Sequence, residues 1–170
     1  MAFPRRLPVP SDEHRSGAAP SGDHVSGAGP SGDHRSGAGP SGDAGSATTL
    51  GVLLLSGSHD RAHYAFVVAS GAAALGRTVV LFATNRGCIA LCQDWSGLTD
   101  AGRDARIQIN GVAGLDTLRD ACLEMDVRMI ACEAGLRAEG LDPSRLLPGV
   151  EIAGIASFLA AIGTGQIITI

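Results

Sequence analysis

The sequence predicts an α/β fold: a three-layer sandwich on a mainly parallel sheet, preceded by a disordered N-terminal tail. Three observations carry that reading: a change of composition near residue 47, a series of short apolar runs after it, and helical stretches between the runs. Before the change lie six of the eight prolines and nine of the 24 glycines, in a repeated decapeptide: SDEHRSGAAP, SGDHVSGAGP, SGDHRSGAGP and a decayed SGDAGSATT. Each unit offers only alanine or one valine for burial, too little to offset the entropy of ordering the chain. Residues 1–47 therefore read as a disordered tail and 48–170 as one α/β domain. The pairs Glu13-His14, Asp23-His24 and Asp33-His34 carry metal-ligand chemistry, but nothing pre-organises them, and the segment reads as a polar spacer.

The elements follow in order. GVLLLS (51–56) is a continuous apolar run, as expected of a strand buried on both faces. SHDRAHYAFVVASGAAALG is a helix with Ser58 and Asp60 as candidate caps and Gly76 as its stop. It is apolar almost all round, which predicts burial on more than one side and, in so small a domain, contact with another subunit. TVVLFA (78–83) is the second strand. TNRGCIALCQDW reads as a loop entering a short helix, and 96–112 as a polar connection. Leu115, Leu118, Cys122 and Met125 fall at helical spacing, and VRMIAC (127–132) is the third strand. Residues 152–170 carry no charge, which raises the question of a membrane span, but Gly163-Thr164-Gly165-Gln166 interrupts them. The preferred reading is a strand at 150–153, a helix through Ala161, a glycine turn and a terminal strand QIITI; a membrane partner is disfavoured.

Composition excludes several function classes. The 13 basic residues are all arginine, so Schiff-base catalysis, pyridoxal anchoring and a phosphate-loop lysine are ruled out. The segment GAAALGRT (71–78) imitates a phosphate loop but runs from helix into strand, whereas the true motif runs from strand into helix; its glycines read as close helix packing and a stop. A net charge of −4 provides no basic field for nucleic acid. No dinucleotide motif and no metal-ligand set stands out, so no cofactor is expected. Four cysteines without a regular framework, and a start without an apolar signal core, predict reduced thiols in the cytoplasm.

In a parallel sheet, functional groups gather at the carboxyl ends of strands. Here those places are Ser56 to Asp60, Thr84 to Cys88, and Cys132 to Arg137, and the third puts a nucleophile directly at a strand end. A turn at Glu133-Ala134-Gly135 would present backbone donors to the Cys132 sulfur and favour the thiolate. Arg137 adds positive charge there and Glu133 opposes it. The competing account makes Cys132 a buried, inert end-of-strand residue. Cys88, in a first helical turn and therefore exposed, is a candidate accessory thiol, while Cys92 and Cys122 read as core. His59 and His63, one turn apart, are candidates for a general base serving Cys132, or else simply cap and solvate the helix.

The stretches SGSHDRAHYAF, AALGRTVVLFATNRG and RMIACEAGLRAEGLDPSRLLPGVEIAGIASFL resemble the DsrE/DsrF-like family, which includes sulfur-relay subunits. The resemblance runs from Gly51 to Ile170. It implies a five-stranded parallel sheet, assembly into trimers or hexamers, and a cysteine, here Cys132, that receives sulfane sulfur as a persulfide. The leading expectation is a sulfur carrier or sulfurtransferase exchanging sulfur with donor and acceptor proteins or small persulfides, without a cofactor. The alternatives are a non-catalytic oligomeric module that binds a ligand or partner, and a thiol reductase pairing Cys132 with Cys88.

Overall fold

A computed structural model describes residues 48–170. The decapeptide repeats and their Asp-His and Glu-His pairs lie outside the described residues. The chain runs β1 (Leu50–Leu54), α1 (His59–Ala74), β2 (Val79–Ala83), a 3-10 helix (Asn85–Leu91), α2 (Arg103–Ile109), α3 (Leu115–Glu124), β3 (Arg128–Cys132), α4 (Glu133–Ala138), β4 (Glu151–Ala153), α5 (Ile155–Ile162) and β5 (Gln166–Thr169). The five strands form one sheet in the order β4-β3-β2-β1-β5, with every pair parallel.

The order explains the layers. From β1 to β4 the chain steps in one direction, then returns across the sheet to place β5 beside β1. Right-handed crossovers put the helices of the outward steps, α1 and α3, on one face, and the helix of the return step, α5, on the other. The central runs are apolar because both faces are covered: every residue of β2 is buried, as are Leu50, Val52 and Leu54 of β1. On the α5 side, Phe158 packs its ring 5.1 Å from that of Phe82. It comes so close to β1 that a Cβ on Gly51 would lie 2.8 Å from its Cζ, so glycine is what allows this helix onto the sheet.

Several expectations change in detail. Ser58 occupies the N-cap position of α1, but its hydroxyl meets Ser56 Oγ at 2.9 Å instead of capping the helix. Gly76, at φ +78°, ends that helix as expected, whereas Gly71 packs against nothing: a Cβ there would meet no atom within 4 Å. Helix α1 is not covered on all sides of this chain, since Tyr64 is 61% exposed. The connection at 96–112 contains α2, which the sequence hides because it has no apolar stripe; Ile109 is 86% exposed. The uncharged stretch 152–170 divides into β4, α5 and β5, and among the described residues no helix is long and apolar enough to cross a membrane.

Candidate functional site

The carboxyl ends of β1 and β2 are stitched together by backbone. The Thr84 N–H donates to Leu54 O at 2.9 Å, and the Gly87 N–H donates to Leu55 O at 3.3 Å. The β1 loop rests on the β2 loop at Gly57, where a Cβ would lie 2.5 Å from Cβ of Arg86. Asn85 turns the chain with φ +49°, a left-handed conformation that asparagine tolerates better than most residues.

Cys132 ends β3 and serves as the N-cap of α4, its backbone still extended at φ −65°, ψ 119°. Its Sγ accepts a hydrogen bond from the Gly135 N–H at 3.4 Å. The residue is 7% exposed and counts with the core, as the competing account of a buried end-of-strand cysteine expects. Gly135 also sets how closely α4 approaches the β2 loop. A Cβ there would lie 2.6 Å from Asn85 N, 3.0 Å from Thr84 Oγ1 and 3.2 Å from Cys88 Sγ.

Cys88 is therefore a neighbour of Cys132, with Gly135 between them. It is fully buried, contrary to the exposure its first-turn position suggests, because the 3-10 helix folds its second half into the core beneath α4. Its S–H donates to Ala83 O at 3.3 Å, and burial pushes the thiol up to about 12. Cys92 and Cys122 are buried as well; burial pushes both thiols up, Cys122 to about 12. All four cysteines are free thiols.

The two histidines go elsewhere. His59 Nε2 meets Asp104 Oδ1 at 2.8 Å, and His63 Nε2 takes the Ala113 carbonyl at 2.8 Å, with the rings stacked 5.8 Å apart. They face α2 and the start of α3, and neither bonds to Cys132. His59 is fully buried, and its Nδ1 makes no hydrogen bond among the described residues. Arg137 is exposed and pairs with Glu133 at 2.6 Å, one helical turn away, so its charge is answered there and not at the thiol. Sequence reasoning missed Asp104, one of two aspartates in a polar stretch, and the backbone role of Asn85.

Among the described residues, no group of three or more histidine, cysteine or acidic side chains is arranged to hold a metal ion. An open cleft of about 370 Å³ lies at the other end of the sheet, lined in part by Arg77, Thr78, Met125 and Asp126, and carries no cysteine. What the carboxyl end provides is one buried thiol with a backbone donor, a second thiol nearby, and no side-chain base bonded to either.

Residues 93–169, which include β3, Cys132 and the elements through β5, match the DsrE/DsrF/DrsH-like family model. Over these residues the chain is similar to that family. It is similar to the sulfur carrier protein DsrE2 of Allochromatium vinosum, at 28% identity over 150 residues that cover 69% of this chain and 94% of the relative. It is also similar to the protein YrkE of Bacillus subtilis, at 27% identity over 68% of this chain and 92% of that one. In fold it is similar to the crystal structure of the ychN protein from E. coli, with TM-score 0.52 and 12% identity over 72% of this chain and 99% of that one.

Proposed function

We propose that the protein is a sulfur carrier of the sulfurtransferase kind, with Cys132 as the residue that holds the sulfur. The observation that carries the reading is the Cys132 sulfur at the end of β3, bonded to the Gly135 N–H at 3.4 Å in a residue that is buried but keeps 7% exposure. The similarity to a protein named as a sulfur carrier supports it. In the first step the Cys132 thiolate attacks the outer sulfur of a donor persulfide, the donor leaves as its thiolate, and Cys132 becomes Cys–S–SH. In the second an acceptor thiolate takes that outer sulfur and Cys132 leaves as thiolate, so no oxidant or cofactor is consumed. The Gly135 N–H stabilises negative charge on sulfur in both steps. The expected setting is a homo-oligomer in the cytoplasm, and the half-exposed apolar side chains Tyr64, Ile155 and Leu159 are surface available for assembly.

Incubation with a persulfide donor is expected to add one sulfur to the Cys132 peptide, seen by mass spectrometry, and none in Cys132→Ser. An equal adduct in the variant would sink the proposal. If Cys132 takes no sulfur and resists alkylation in the folded chain, the protein is a binding module in which this cysteine only packs.

A further inference from the structure

We propose that Cys88 is an internal acceptor for Cys132: when no outside thiol takes the carried sulfur, the two cysteines join as a disulfide and the sulfur leaves as sulfide. This rests on the persulfide reading above and adds to it a built-in discharge of the same site.

Strands β2 and β3 are neighbours, with Ala83 opposite Ala131. One residue past Ala131 stands Cys132. Past Ala83 the chain turns at Asn85 and comes back, so that Cys88 reaches the Ala83 carbonyl with its S–H. Both sulfurs thus lie at the same end of adjacent strands, and Gly135 borders both: its N–H donates to Cys132 Sγ, and a Cβ on it would lie 3.2 Å from Cys88 Sγ. A side chain at Gly135 would stand beside Cys88 and the β2 loop, and there is none.

Burial decides what Cys88 can react with. It is 0% exposed, so an external thiol or persulfide does not reach it, whereas Cys132, though buried, keeps 7% exposure. The titratable groups that act on Cys88 are Cys132, Cys92 and Glu139, all of which oppose its ionisation, while the Cys132 backbone N–H favours it; burial outweighs them and keeps the group as S–H. That proton completes the reaction: Cys88–SH + Cys132–S–S⁻ → Cys88–S–S–Cys132 + HS⁻. The bond between Cys132 Sγ and the outer sulfur breaks, and its electron pair leaves with that sulfur, which takes the Cys88 proton. The Cys88 and Cys132 sulfurs become a disulfide while the sulfane sulfur is reduced to sulfide, so no further oxidant is needed. A nucleophile held as S–H makes the step slower than transfer to an outside thiolate, and delivery wins whenever an acceptor is present.

The test uses the full chain loaded with inorganic polysulfide and desalted into thiol-free buffer. Sulfide release is followed, and peptides are mapped without reduction. The added sulfur on Cys132 is expected to decline while sulfide and a Cys88–Cys132 linked peptide rise in equal amounts. In Cys88→Ser, and in Cys88→Ala as a second variant of different polarity, release is expected to fall about tenfold or more, with the sulfur retained on Cys132. Unchanged release in both variants, or a disulfide formed by Cys92 instead, overturns the proposal. Sulfur that stays on wild-type Cys132 without sulfide or disulfide overturns this inference alone. No sulfur on Cys132 at all overturns the carrier reading and this inference with it.

Discussion

Gly135→Ala is expected to destabilise the protein by about 2–3 kcal/mol, read as a lower urea midpoint with an unchanged slope. The added methyl would stand 2.6 Å from the backbone nitrogen of Asn85, which is fixed by the β2 turn and has no rotamer with which to yield. Relief requires α4 to move away from the β2 loop, and that motion pulls the Gly135 N–H from the Cys132 sulfur. Loading of sulfur on Cys132 should therefore fall together with stability. The same substitution at Gly71, inside α1, is expected to stabilise by about 0.5–1 kcal/mol, because a Cβ there meets nothing and alanine is the better helix former. Opposite signs at the two sites separate a packing effect from a general response to alanine, and a neutral result at Gly135 would refute the close approach described for α4.

The second large effect is expected at Asp104. Its carboxylate is 6% exposed and accepts from His59 Nε2 at 2.8 Å, from the Leu115 backbone N–H at 2.8 Å and from the Gln108 amide. Alanine leaves the Leu115 N–H and the His59 ring nitrogen buried without an acceptor, at a cost of about 3–5 kcal/mol. Asparagine restores an acceptor oxygen and should cost less. Burial pushes this carboxyl up, but the Leu115 N–H, His59 and Gln108 together hold it below the usual carboxylate value. A group held lower in the folded chain than in the unfolded one contributes stability at neutral pH. That contribution begins to be lost below about pH 4 and is gone once the pH falls below the lowered folded value. Urea midpoints taken from pH 7 to pH 3 should accordingly fall more steeply in the wild type than in Asp104→Asn, and parallel curves would contradict this account.

The central strands were legible because β1, β2 and β3 are short apolar runs that are largely buried, a pattern with no competing reading, whereas the edge strands β4 and β5 are mostly exposed. Gly76 was equally plain, since a left-handed helix end calls for that residue. Helix α2 was not legible, because what fixes it is one buried carboxylate and not an apolar stripe. The partner of His59 lies 45 residues away, a distance at which one of two aspartates in a polar stretch gives no signal. Cys132 stood out as the thiol at a strand end, and the Gly135 donor followed from the turn expected there. The burial of Cys88 did not follow, because spacing along a helix says nothing about which way a 3-10 turn rolls its side chains.

The order of the strands also bears on how the chain is made. Strand β1 emerges first of the five, yet its two sides are completed at very different times. Val79–Ala83 closes one edge early, while the other waits for Gln166–Thr169, and the seat over Gly51 waits for Phe158. Throughout synthesis of the intervening residues, Leu50–Leu54 therefore presents an unpaired edge and an uncovered face of high apolarity. For a nascent chain this is the segment most in need of shielding, and a chaperone that binds extended apolar strands would find it open until the final strand is released.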